Sequence, residues 1–359
     1  MTPKISIVFT SFNHREFLKE ALDALINQTF KDFELIIIDD NSSDGSQEIL
    51  KKYTYDKRVK LHLLEKNTGS YVYSSNIGAS KAKSEYIIFA QCDDVAEKTQ
   101  LENLYNTMLQ NPEVGVTFSS SMMIDKNGSS LGYDFDGREK TFKKQCVYDT
   151  FIPRLQMTKY FLYSCVIPNL SAALMKRSLF EKLNGLSPKF LVVSDWDFWM
   201  KMTLECDFYY LRDSLNRFRQ HDTTIRSTIK IHIQIIEIYL MMYGFFSKIK
   251  LGFREKIKFK VRLAVIWISY FPQSPKTWKS FKDMSNKLYY QLKLAKAESN
   301  ILDGQGSEFK QRFSKNKSWL KVDKNGNPLA LKYYNPKSGL HPLQELSFEE
   351  ARKTGDYSR

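Results

Sequence analysis

Three close pairs of aspartates stand at the ends of apolar runs, and their carboxylates are the groups in this chain best placed to hold a cation or accept from a ligand. Leu35-Ile36-Ile37-Ile38 ends in Asp39-Asp40. Tyr86-Ile87-Ile88-Phe89 leads through Ala90-Gln91-Cys92 to Asp93-Asp94, and Leu191-Val192-Val193-Ser194 leads to Asp195-Trp196-Asp197. Adjacent like charges disfavour ionisation unless a cation or a hydrogen-bond donor compensates them. The placement therefore predicts a metal ion and a ligand with donors to offer.

The elements that carry these pairs follow from periodicity. Short β-rich apolar runs read as buried strands, and in open α/β sheets ligands gather at the carboxyl ends of strands. Ile5–Phe9 reads as a first strand, followed by Thr10-Ser11-Phe12-Asn13, with Asn13 and Glu16 spaced as a capping box. Leu18, Ala21, Leu22, Leu25 and Ile26 then fall on one helical face. Asn41-Ser42-Ser43-Asp44-Gly45-Ser46 opens the next helix, Val59–Leu64 is a third strand, and Asn76–Lys83 lies in a helix. This alternation predicts an α/β fold, a mostly parallel sheet with helices on both faces. After Asn111-Pro112 the pattern loosens: Val114–Phe118 reads as a strand and Ser178–Leu183 as a helix, whereas Ile231–Phe246 fits strand and helix alike.

Composition narrows the class. The 359 residues are 42% hydrophobic and 14% aromatic, enough for a packed core. The net charge of +14 lies in the last part of the chain: residues 245–359 hold 24 Lys and Arg against 10 Asp and Glu, and the rest is neutral. Four scattered cysteines, Cys92, Cys146, Cys165 and Cys206, predict neither a zinc site nor a disulfide framework. Met1-Thr2-Pro3-Lys4 enters a strand directly, so no signal peptide is expected, and no run reaches the roughly 18 residues of a membrane span. A cytoplasmic protein is expected.

The order strand, Thr10-Ser11-Phe12-Asn13, helix, strand, Asp39-Asp40-Asn41-Ser42-Ser43-Asp44-Gly45-Ser46, helix resembles the inverting family 2 glycosyltransferases of the GT-A fold, nearest the spore-coat polysaccharide synthase type. The likeness is dense over residues 3–50, clear at 86–105 and 190–221, and absent after about 230. It implies a GT-A, Rossmann-like domain with a nucleotide-sugar-binding half at 1–115 and an acceptor-binding half at 116–229. A helical basic extension at 230–300 and a polar tail at 301–359 would follow. It also implies that Thr10, Phe12, Asn13, Asp40, Asn76 and Asp93 meet the nucleotide, with Asp40 accepting from a pyrimidine imide N–H. Asp93, Asp94 and His221 (in Arg217-Phe218-Arg219-Gln220-His221) would hold the metal, and Asp195 would be the catalytic base.

Hard oxygen ligands suit Mg2+ or Mn2+, which keep positions open for a diphosphate. One base facing the acceptor hydroxyl suffices for inversion; in a helix Asp197 would point about 200° away from Asp195. Trp196 and Trp199 are expected to pack rather than stack on sugars. Two departures from the family pattern stand out. Gln91 replaces an Asp, and Ser75 replaces an Arg before Asn76, so Lys66 or an Arg of the 217–226 region must meet the diphosphate instead. The expected function is metal-dependent transfer of a sugar from a UDP- or dTDP-sugar to a hydroxyl of a glycan or lipid-linked glycan acceptor, in bacterial surface polysaccharide synthesis.

The alternatives are a sugar nucleotidyltransferase, which would show a Gly-rich basic loop after the first strand, and a non-catalytic glycan-binding relative, which would not need Asp195. A nucleic-acid partner is not expected, because it would leave the acidic clusters unexplained. Lys248 to Arg262 interleaves basic and apolar residues. That composition fits either an anionic membrane surface met through residues 245–271 or a helical subdomain packed on the body.

Overall fold

The computed structural model describes residues 2–222, 231–246 and 253–270. The expected tail at 301–359 lies outside the described residues, as does the 271–300 part of the extension. The chain forms two compact units, one of residues 1–187 and 198–224 and one of residues 188–197 and 225–359. The expected divide between 115 and 116 falls inside the first unit.

The first unit is built on one ten-stranded sheet. Strands β1 (Ile5–Ser11), β2 (Phe33–Asp39), β3 (Val59–Leu63) and β4 (Tyr86–Gln91) pair in parallel in the order β3-β2-β1-β4. Every residue of β2 is buried, which is why its Leu35–Ile38 stretch reads as a continuous apolar run. Helices α1 (Arg15–Ile26), α2 (Ser46–Lys52) and α3 (Tyr71–Lys81) are the crossovers. Gly78 lets α3 lie close on β1, since a Cβ there would sit 2.3 Å from Val8 Cγ1.

Beyond β4 the mostly parallel sheet also takes in short antiparallel members. β9 (Ala173–Lys176) runs antiparallel to both β4 and β6 (Val114–Ile124), and joins the parallel part to the parallel pair β6–β10, where β10 is Asp207–Arg219. The short strands β5 (Val95–Ala96), β7 (Ser130–Tyr133) and β8 (Thr150–Ile152) are antiparallel additions, so the sheet is mixed. Helices α4 (Gln100–Gln110), α5 (Lys140–Gln145), α6 (Arg154–Phe161) and α7 (Arg177–Lys182) complete this unit's described helices, apart from the end of α8 (Ser194–Met202). α8 begins in the second unit and ends in the first.

In the second unit Ile231–Phe246 is helical (α9) and Phe253–Tyr270 forms α10, which contains most of the expected Val261–Phe271 run. The two helices pack together, with the Phe246 and Phe259 rings 5.1 Å apart and Leu263 and Ile266 also buried. Among the described residues no helix is long and apolar enough to cross a membrane.

Candidate functional site

The loops after β1 and β2 are stitched to each other. Asn13 takes a left-handed conformation (φ 51°), which an Asn tolerates. Its backbone N–H donates to Ser42 Oγ (3.0 Å) and its side-chain oxygen accepts from Ser43 N–H (2.9 Å). The capping box expected from Asn13 and Glu16 is therefore not formed: α1 starts one residue later, at Arg15, whose N–H is taken by Asp44 Oδ2 (2.9 Å). Thr10 pairs with Ile38 on one side and Gln91 on the other, and Phe12 leaves the strand end 42% exposed.

The first aspartate pair divides between two tasks. Asp39 accepts from Ser42 N–H, Ser42 Oγ–H and Gln47 Nε2–H, and so shapes the turn. Asp40, 4% exposed, accepts from the backbone N–H and the hydroxyl of Thr68, both at 2.8 Å, one on each oxygen. Burial pushes its pKa up to about 6 against the pull of those donors. Each oxygen keeps a second lone pair, so the carboxylate retains capacity for another donor.

Asn76 is placed otherwise than expected. It is buried, with Nδ2 donating to Leu186 O (2.9 Å) and Oδ1 accepting from Leu186 N–H (3.0 Å). Its amide braces a distant loop rather than facing a ligand, because an amide paired at both ends with backbone has its strongest donor and acceptor directions used.

The second pair also splits. Asp94 is buried and accepts from Asn169 Nδ2–H (2.8 Å), Ser171 Oγ–H (2.7 Å) and Arg219 N–H (3.2 Å). Burial, reinforced by the neighbouring Asp93, holds its carboxyl well above the usual range. Asp94, expected as a metal ligand, has its oxygens on protein donors, which tie the loop after β4 and the segment just before β9 to β10. Asp93 is the outward member, with Oδ2 3.0 Å from His221 Nε2.

His14 completes this corner. One ligating atom from each of His14, Asp93 and His221 lies within 4.8 Å of the others. The His14 and His221 rings meet edge to face at 5.4 Å. His14 Nδ1 lies 2.8 Å from Phe12 O. A carbonyl can only accept, so Nδ1 carries the proton and Nε2 keeps its lone pair, the tautomer arrangement common to metal-binding histidines. Two imidazoles and a carboxylate fit a divalent ion that accepts nitrogen and oxygen ligands together.

Arg219 holds the corner in place. Its guanidinium, 1% exposed, donates to Asp93 O, Asp125 O, Lys126 O and Glu20, and lies over the Phe17 ring. Arg217 pairs with Glu97 at 2.6 Å. Of the cations expected to replace the missing Arg before Asn76, Arg219 is thus committed to this corner, Arg217 is half exposed, Arg226 lies outside the described residues, and Lys66 is exposed in the loop after β3.

Asp195 belongs to the second unit, in the first turn of α8, with Oδ1 accepting from Trp196 N–H (2.7 Å). The segment leading to it is held by a residue that no sequence motif marks. Glu237 of α9 accepts from the successive N–H groups of Leu191 (3.0 Å), Val192 (2.8 Å) and Val193 (3.3 Å). Burial pushes the Glu237 carboxyl up to about 7, opposed by those three donors. Trp196 and Trp199 are buried, which is the packing role expected of them.

Comparison with known proteins bears on the fold and the family. A family model described as glycosyl transferase family 2 matches residues 6–183. An uncharacterised glycosyltransferase of Methanocaldococcus jannaschii is 31% identical over 204 residues, 55% of this chain and 64% of that protein. Poly(ribitol-phosphate) beta-N-acetylglucosaminyltransferase TarP of Staphylococcus aureus is 35% identical over 127 residues, 35% of this chain and 37% of TarP. The chain thus spans under two thirds of the length of either relative. In fold it is similar to residues 1–349 of S. aureus TarS, solved in complex with UDP, with a TM-score of 0.56 at 19% identity over 75% of this chain and 72% of that one. Residues 6–183, which include the loops that carry Asp40 and Asp93, thus form a family 2 glycosyltransferase domain.

Proposed function

We propose that the chain transfers a sugar from a UDP- or dTDP-sugar to a hydroxyl of a glycan or lipid-linked glycan, with inversion and with the help of a divalent metal. The observation that carries this reading is the pairing of a buried acceptor, Asp40, after β2 with the His14–Asp93–His221 corner at the carboxyl ends of β1, β4 and β10. β1 alone separates β2 from β4, so the two strand ends lie about 10 Å apart, on the scale of a nucleoside diphosphate.

Asp40 would accept the imide N–H of the pyrimidine, a donor that uracil and thymine share and adenine lacks. Phe12, exposed at the same strand end, offers a ring face to the base. The UDP bound in TarS supports a uridine donor. His14, Asp93 and His221 would hold Mn2+ in preference to Mg2+, since imidazole nitrogen suits the transition ion. Bound there, the cation supplies positive charge to the leaving diphosphate. Asp195 would take the proton of the attacking hydroxyl. The name of TarP, which describes transfer to a poly(ribitol-phosphate), supports a surface-polymer hydroxyl as acceptor.

Calorimetry with UDP, dTDP, GDP and ADP, each with and without Mn2+, tests the reading. Binding of UDP or dTDP that requires Mn2+ and is lost in Asp93→Ala supports it. Metal-independent binding of ADP in preference to UDP overturns it.

A further inference from the structure

Helix α10 has two apolar faces, and among the described residues one of them packs on a neighbouring helix while the other is exposed. Phe259, Leu263 and Ile266 are buried, with Phe259 against Phe246 of α9. Phe253, 80% exposed, begins a second line that continues through Ile257, Val261, Ala264 and Val265, all exposed. At about 100° per residue these five span an arc of roughly 120°, whose centre lies about 180° from the buried line. A soluble helix that has already spent one face on its neighbour ordinarily turns a polar face outward. Here the outward face is apolar for most of the helix length.

The charges flank that face. Lys256 and Lys260 project on one edge of the exposed arc, and Arg254 and Lys258 lie on the other; all four are exposed. The helix sequence holds a single acid, Glu255, against five Lys and Arg. An apolar stripe bordered by cations on both sides is the pattern of a helix lying in the plane of a bilayer, with aliphatic side chains in the acyl boundary and cations among anionic headgroups. A protein partner would be expected to bring acids to the rim and its own apolar ridge. A bilayer needs only the linear, two-edged arrangement found here.

We propose that the exposed face of α10 is a docking surface for an anionic lipid membrane, bound peripherally through Phe253, Ile257, Val261 and Val265 with Arg254, Lys256, Lys258 and Lys260 at the headgroups. This assignment stands independently of the donor chemistry proposed above.

The test is co-sedimentation of the full chain with vesicles of phosphatidylcholine, with and without phosphatidylglycerol. The intact protein should bind only the phosphatidylglycerol vesicles, and less so as salt rises. The exposed pair Ile257→Ser and Val261→Ser should weaken binding more than about tenfold, the effect of two aliphatic side chains no longer inserted. Lys256→Glu with Lys260→Glu should weaken it too. Unchanged thermal unfolding in both variants verifies that the helix pair is intact. Absence of binding by the intact protein at low salt overturns the proposal. So does binding that the serine pair leaves untouched. A stable dimer that the serine pair converts to monomer would assign the face to a second copy, and also overturns it.

Discussion

His221 Nε2 approaches Asp93 Oδ2 to 3.0 Å across 128 residues of chain. The contact exists because the end of β10 is bolted to the loop after β4, by Arg219 N–H on Asp94 and Arg219 Nε on Asp93 O. A cation at this corner would therefore depend on both Asp93 and His221, with His14 as the third ligand. His14→Ala and His221→Ala should each weaken Mn2+ by at least the roughly tenfold that loss of an outer-shell partner costs. Manganese titration followed by paramagnetic resonance reads this directly. Unchanged affinity in His14→Ala would return His14 to a purely structural place.

Asp93 and Asp94 should fail in different ways when altered. Asp94→Ala leaves Asn169, Ser171 and the Arg219 N–H without their acceptor in a buried setting, at a cost on the order of 3 kcal/mol in stability. Asp93→Ala should unfold near the wild-type temperature yet lose metal binding. Paired thermal melts and metal titrations separate the two, and equal melting temperatures would contradict the anchoring role of Asp94.

If Asp40 reads the base as proposed, it should set a pH dependence on nucleotide binding. Its pKa is pushed up to about 6, so the carboxylate that would accept an imide N–H becomes protonated as pH falls through that value. UDP affinity should drop between pH 7 and pH 5, and Asp40→Asn should bind more weakly at pH 7 with a flatter profile. Calorimetry across this range checks the sign; affinity that rises on acidification would remove Asp40 from the base-reading role.

Glu237 should leave its mark on stability. Its carboxyl titrates at about 7 in the folded protein against an ordinary 4.5, so the folded state binds a proton that the unfolded state does not between those values. Stability from this group is present in full below pH 4.5 and is lost as pH rises toward 7. Glu237→Gln should remove that slope. The difference in melting temperature between wild type and variant, followed from pH 5 to pH 7.5, isolates it from Asp40 and Asp94.

The parallel half of the sheet was legible because its strands are buried on both faces and read as continuous apolar runs, as in Leu35–Ile38. β10 was not, because its thirteen residues mix Arg212, Asp213 and Asn216 with apolar positions, and its pairing with β6 slips register. α9 stayed ambiguous since Ile231–Phe246 is β-branched and apolar nearly all round, a composition that suits either element until a partner helix is known. At the site, the aspartate pairs drew attention to the loops that carry Asp40 and Asp93, but what each member bonds depends on distant donors such as Thr68, Ser171 and Arg219. Asn13 read as a local cap because its real partner, Ser43, is thirty residues away. His14 carried one signal, its place just past the first strand, and Glu237 carried none, because three backbone N–H groups leave no trace in sequence.

The reciprocal bonds between Asn13 and the Ser42-Ser43 pair limit how this enzyme scaffold can be re-engineered. Transplanting either loop alone from a relative would orphan the other's hydrogen bonds and tilt the start of α1, along with His14. Changing the proposed donor preference by grafting should therefore succeed only when both segments are exchanged as one cassette.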